Sequence, residues 1–223
     1  MIRDTFCIIP ARSGSKGIKN KNIMEFNQCP LLKYSIDFAK KLKFVKKIIV
    51  STDSKKYLNI SRKYGVCSKS LRPNYLSSDF SKTIDVVKFE FNQYKNLGFE
   101  KILILQPTCP FRKKEHFNAS YHALDKGYES AITIHRVSEF PQRMLIKKGK
   151  KLLPYISNKK EDLFKPRQAI NQIYIRTGSM YFFISKNINK KNFLGSKIFF
   201  QETFGKYQIN IDNYKDVILT NYY

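Results

Sequence analysis

The chain has 223 residues, 42% hydrophobic and 14% aromatic, enough to cover one medium core and too apolar for wholesale disorder. Its 42 Lys and Arg against 17 Asp and Glu give a net charge of +25, which raises a nucleic-acid reading. The lysines run along the whole chain instead of gathering on one stretch, so the charge reads as a compositional bias that attracts anions generally, and a nucleic-acid footprint is disfavoured.

Strand and helix signals alternate along the chain, which predicts an α/β fold with a mostly parallel sheet and helices on both faces. The continuous apolar run Phe6–Ile9 reads as an interior strand, ended by Pro10. A helical stripe follows at Leu32, Ile36, Ala39 and Leu42, with Pro30 in its first turn. Residues 47–50 read as the second strand, with the polar exit Ser51-Thr52-Asp53, and a helix runs through Tyr57 and Ile60 to a stop at Gly65. Residues 71–79 read as a loop, 83–94 as a helix and 101–106 as an interior strand cut off by Pro107 and Pro110. A helix is expected over 115–126, strands over 131–134 and 179–184, a strand-like piece over 207–211 and a last helix from about 213. The rhythm breaks from 135 to about 170, where Pro141, Pro154 and a lysine cluster mark an arm on an otherwise single domain spanning 1–223, of the kind that pairs between subunits.

Three polar features fall at strand ends, where open α/β sheets bind ligands: the loop after Pro10, the Ser51-Thr52-Asp53 exit, and Gln106–Arg112. In the loop, Gly14 and Gly17 free the backbone to turn N–H groups outward, and Arg12, Lys16, Lys19 and Lys21 supply charge for a triphosphate. An ordinary glycine-containing loop with solvated lysines has the same composition. The loop matches neither the Walker nor the dinucleotide glycine pattern. The four cysteines form no C-x-x-C pair, and His116, His122 and His135 form no ligand cluster, so the cysteines read as reduced packing residues. No apolar run approaches a membrane span and no signal-peptide core is seen, which makes the cytoplasm the expected compartment.

The segment Ala11-Arg-Ser-Gly-Ser-Lys-Gly17 with Lys21-Asn22 resembles the signature of the acylneuraminate cytidylyltransferases. The likeness continues in order through Ile49–Asp53, Leu71-Arg-Pro73, Leu76–Asp79, Leu105–Arg112, Pro166–Gln168, Thr177–Tyr181, Phe199-Phe200 and Ile209–Asp212, nearly the whole length. The resemblance implies a Rossmann-like nucleotidyltransferase fold with a small dimerisation arm, a homodimer, Mg²⁺, and transfer of CMP from CTP to a nonulosonic acid. It implies that Arg12, Ser15, Lys16, Lys21 and Asn22 meet the nucleotide, with Arg72 and the Ser78–Lys82 region holding the cytidine. It also implies a sugar pocket of Gln106, Arg167, Tyr181, Phe199 and Phe200, with Arg143 arriving from a partner subunit, and metal ligation by Asp212. Core packing for Phe199, Phe200 and Tyr181, and a solvated Arg167, are the plain alternatives. Two departures stand out: Asn210 replaces the first carboxylate of the family's Asp-Ile-Asp, weakening any metal ligation there, and Thr177-Gly178 replaces Asn-Gly with Arg176 one place out of step. The rival activities are a Kdo cytidylyltransferase, in which an acidic residue stands where this chain has Gln106, and a basic non-catalytic nucleotide- or nucleic-acid-binding protein.

Overall fold

The computed structural model describes residues 4–156, 163–220 and 222–223; the side chain of Arg167 lies outside the described residues. Strands β1 (Thr5–Pro10), β4 (Val45–Ser51), β5 (Lys101–Ile104), β6 (Ser130–Arg136), β9 (Tyr174–Ile184) and β10 (Ile198–Glu202) form one sheet in the order β10-β6-β9-β5-β1-β4. Five strands are parallel; β9 runs against both neighbours, β5 and β6. Two small ribbons, β2 (Glu25–Phe26) with β3 (Cys29–Pro30) and β7 (Leu145–Lys148) with β8 (Lys151–Pro154), stand apart from it.

Both faces of the sheet are covered, which explains why Phe6–Ile9 of β1 and Ile102–Ile104 of β5 are continuous apolar runs rather than alternating. On one face Cys7, Ile9, Leu103, Leu105 and Phe182 pack under Leu32, Ile36, Tyr57 and Phe117, from helices α1 (Leu31–Lys40), α2 (Lys55–Lys63) and α4 (Lys114–Asp125). On the other, Phe6, Ile8, Ile102, Ile104 and Phe183 meet Val86 and Val87 of α3 (Thr83–Asn92). A third cluster, Ile18, Phe26, Leu31 and Ile211, ties the loop after β1 to the segment before the last helix, α5 (Tyr214–Thr220).

The expected α/β architecture and most element positions hold. Residues 207–211 form no strand: Gly205–Gln208 is a 3-10 turn, and Ile211 N–H instead donates to the Thr108 carbonyl at 2.8 Å. The β9 strand begins at Tyr174, well before Ser179. The arm is a bare hairpin, β7 and β8, with Leu145, Ile146, Leu152 and Leu153 all exposed. No helix among the described residues is long and apolar enough to cross a membrane.

Candidate active site

The carboxyl ends of β5, β1 and β4 lie side by side, and a cavity of about 340 Å³ opens above them. It is lined by Arg12, Ser15, Lys16, Lys21, Asn22 and Arg72, with Ser78, Asp79 and Gln106 at its edges. Seven of the eight residues expected around the nucleotide therefore meet in one place. Lys82 does not line it; it lines a second, adjoining cavity. Lys19 is exposed and lines neither cavity.

The shape of the basic loop follows from bonds made to other strand ends. Asp53, at the exit of β4, accepts the Ser13 N–H at 2.8 Å and the Ser13 hydroxyl at 3.0 Å. Buried Asn22 donates to the Arg12 carbonyl at 2.9 Å, closing the loop on itself. Gly17 is required by contact: a Cβ there would sit 2.3 Å from the Asp212 carbonyl oxygen. Arg72, 5% exposed, donates to the Ser51 hydroxyl at 3.1 Å and the Ser51 carbonyl at 2.6 Å. Burial lowers its pKa to about 10, partly offset by Asp53 and Glu90, and it remains a cation at neutral pH.

The loop cations are already paired. Asp79 accepts from Arg12 at 2.7 Å and from Lys16 at 2.6 Å, and these two bonds, Lys16 first, hold its carboxyl below the usual range. Lys21 donates to Asp212 Oδ1 at 2.8 Å, while the Asn210 amide donates to Oδ2 at 2.7 Å. Among the described residues no group of three or more His, Cys, Asp or Glu could hold a metal unaided. One carboxylate and one amide oxygen fit the pattern in which Mg²⁺ takes few protein ligands and completes its shell with phosphates and water.

The second cavity, about 480 Å³, shares Thr83 and Gln106 with the first and is further lined by Lys82, Ile84, Ile104, Arg176, Tyr181, Lys191 and Phe193. Tyr181, expected in the sugar pocket, lines this cavity. Arg176 is the residue that reading missed. Arg176 and Tyr181 are an odd number of places apart, so in a regular strand they would face opposite ways. A bulge prevents this: Ile132 pairs with Tyr181 and Ile134 with Arg176, so Thr133 alone faces residues 177–180. The Thr133 hydroxyl accepts from Thr177 at 2.6 Å and from the Met180 N–H at 3.2 Å, filling the gap. Both side chains then reach one face, with the Arg176 guanidinium 5.8 Å from the Tyr181 ring centroid. Within the bulge Gly178 adopts φ +80°, and a Cβ there would meet Gln106 Oε1 at 2.5 Å.

Two further residues hold this region from behind. Arg112 donates to the Gln106 carbonyl at 2.6 Å and to the Ser179 carbonyl at 3.3 Å, clamping the end of β5 to β9. Glu129 accepts from Lys190, from the Ser196 N–H and hydroxyl, and from the Lys197 N–H, fixing the loop that carries Lys191 and Phe193. The bond from Lys190 and those from Ser196 hold its carboxyl far below the usual range.

Two of the residues expected in the sugar pocket line neither of these cavities. Phe199 packs edge-on against Tyr128 at 5.3 Å, half-buried against the core, and Phe200, on the opposite side of an edge strand, is 58% exposed; neither lines the two cavities described above. Successive strand residues face opposite ways, so the pair could not enter one pocket together. Arg143 lies on the arm beside Ser138, Glu139, Phe140 and Met144, donating to the Lys165 carbonyl at 2.8 Å.

A basic loop beside a second cationic pocket, both at the strand ends of an α/β sheet, is a place where a polyanionic ligand can be held. The sequence model of the cytidylyltransferase family matches residues 6–217, and the chain belongs to that family. It is 33% identical over 207 residues to an N-acylneuraminate cytidylyltransferase of Escherichia coli, covering 91% of this chain but only 45% of that protein. It is 31% identical to a CMP-N,N'-diacetyllegionaminic acid synthase of Legionella pneumophila, covering 81% of this chain and 78% of the other. A pseudaminic acid cytidylyltransferase of Campylobacter jejuni is 28% identical, with 84% and 82% covered. A CMP:2-keto-3-deoxy-manno-octonic acid synthetase solved with CTP superposes with a TM-score of 0.69 at 14% identity, covering 98% of this chain and 99% of that one, a likeness of fold.

Proposed function

We propose that the protein transfers CMP from CTP to the anomeric hydroxyl of a nonulosonic acid, releasing pyrophosphate. The observation that carries this reading is the pair of joined cavities. The first gathers Arg12, Lys16, Lys21 and Arg72; the second gathers Lys82, Arg176 and Lys191, and no carboxylate is among its described lining residues. A polyanionic donor and an anionic acceptor are the ligands such a pair would hold side by side.

The sugar hydroxyl attacks the α-phosphorus in line with departing pyrophosphate, so a new O–P bond forms as the bond to the β-phosphate breaks. Little covalent work falls to the protein, and catalysis is positioning plus charge neutralisation. Arg12, Lys16 and Lys21 take the triphosphate. Gln106, common to both cavities, orients the attacking oxygen. Arg176 is the best-placed partner for the acceptor carboxylate, since a guanidinium meets a carboxylate with two parallel bonds. Asp212 and the Asn210 amide oxygen would hold Mg²⁺ beside Lys21. That ion supplies Lewis-acid neutralisation of the leaving phosphates.

The exposed hairpin of β7 and β8 supports a homodimer. Two strands alone are marginal in water, and apolar side chains on both faces call for a covering surface. In such a dimer Arg143 would serve the partner's acceptor cavity. The free cysteines are in keeping with work in the cytoplasm.

The test is pyrophosphate release with CTP and Mg²⁺ against a panel of sialic, legionaminic, pseudaminic and eight-carbon ulosonic acids, with ATP, GTP and UTP as controls. CTP-dependent release with one nine-carbon acid is expected. Turnover only with the eight-carbon acid, or no CTP binding, overturns the reading.

A further inference from the structure

Among the described residues lining the nucleotide cavity, Asp79 is the one carboxylate. Each of its oxygens takes one cation: Oδ1 the Arg12 guanidinium at 2.7 Å, Oδ2 the Lys16 ammonium at 2.6 Å. The two side chains assigned to the triphosphate are therefore bridged by a planar, two-oxygen anion, the arrangement a phosphate group would impose.

The bridge joins two segments with few other ties between them. Arg12 also donates to the Ser77 carbonyl at 3.3 Å, so its guanidinium makes two of the contacts to the Asp79 segment and Lys16 a third. The remaining bonds of that segment are internal: Ser78 and Ser81 share a hydroxyl–hydroxyl bond at 2.8 Å, and Ser81 donates to the Tyr75 carbonyl at 3.0 Å. Its tip, Phe80, is 96% exposed and packs on nothing that would hold Asp79 in place. The Lys16 side chain is 82% exposed and that of Asp79 35%, so water screens the pairs and can replace either partner.

We propose that Asp79 is a built-in counter-anion. In the empty cleft it takes the place of a phosphate between Arg12 and Lys16, holding mutually repelling cations in register, and an incoming phosphate must displace it. The proposal rests on the first cavity being the triphosphate site. Its consequence is a threshold that a ligand has to overcome with its own charge. A ligand with one phosphate trades one anion for another and gains little. A triphosphate brings several charges to the same cations, plus Lys21 and Arg72, and outcompetes the carboxylate. Asp79 thus weakens every phosphate ligand by about the same factor, which a triphosphate offsets with its contacts to Lys21 and Arg72 and a single phosphate does not.

The experiment is titration calorimetry of the wild-type chain and Asp79→Asn, with CTP, inorganic tripolyphosphate and orthophosphate as probes. Asp79→Ser serves as a second variant, and circular dichroism checks that each is folded. Removing two screened pairs is expected to tighten orthophosphate, CTP and tripolyphosphate alike, by about threefold to tenfold. Unchanged or weaker binding of tripolyphosphate by a folded variant overturns the proposal, because Asp79 would then be working with the ligand rather than against it. Wild-type protein that binds tripolyphosphate but not CTP would sink the cytidylyl reading alone, and the tripolyphosphate comparison would still decide Asp79.

Discussion

Gly178→Ala tests how the β9 bulge serves the cleft. At φ +80° any other residue pays for a left-handed backbone, about 1–2 kcal/mol. For a chain of this size that lowers Tm by about 2–8 °C. The added methyl would also lie 2.5 Å from Gln106 Oε1, against 3.4 Å or more for ordinary contact, so the amide must retreat by about 1 Å. A displacement of that size at a residue shared by both cavities is expected to cost about 100-fold in kcat with little change in KM for CTP. Pyrophosphate release and thermal melts of Gly178→Ala, Gln106→Ala and the double variant form the assay. If the loss passes through Gln106, the second substitution adds almost nothing to the first. Full additivity in the double variant, or wild-type turnover in Gly178→Ala, would refute the reasoning.

Three more outcomes are expected. Arg12→Ala should lose at least about 100-fold in kcat/KM while melting within a few degrees of wild type, its side chain being 31% exposed and held by ligand-facing contacts. For Glu129 the folded pKa lies far below the model-peptide value of 4.5, so its stabilising effect is complete above that value and fades as pH falls below it. Urea melts of wild type and Glu129→Gln should therefore differ most at neutral pH, with the gap narrowing steadily as pH falls below about 4.5; an equal gap at pH 7 and pH 3 would refute the assignment. Thiol titration at pH 8 should modify exposed Cys67 quickly and leave Cys7 and Cys109 unreacted, since burial pushes the Cys109 thiol up to about 11 and Cys7 higher still; rapid loss of all four thiols would contradict this.

What could be read from sequence divides along a physical line. The basic loop, the Ser51–Asp53 exit and Gln106 sit directly after strong strand signals, so chain order alone puts them at one edge. Phe199 and Phe200 are adjacent in a strand and so take opposite faces, which a motif match does not weigh. Arg176 was passed over as out of step, yet the bulge that restores its direction depends on Thr133, far away in the chain. The sole local hint was Thr177-Gly178, a β-branched residue and a glycine inside an apolar strand. Residues 207–211 alternate like a strand but find no partner edge; Ile211 is used instead to anchor the Asp212 segment on Thr108.

The single reversed strand has a consequence for how the molecule is made. Strands β5 and β6 are neighbours in the chain, but β9 lies between them, so their facing edges have nothing to pair with until residues 174–184 have left the ribosome. Until then the nascent chain carries two unpaired, apolar strand edges, the form most prone to pairing with other chains. The same insertion that brings Tyr181 and Arg176 to the acceptor cavity therefore delays closure of the sheet to a late, long-range step, and slow refolding with a dependence on chaperones during synthesis follows from the topology.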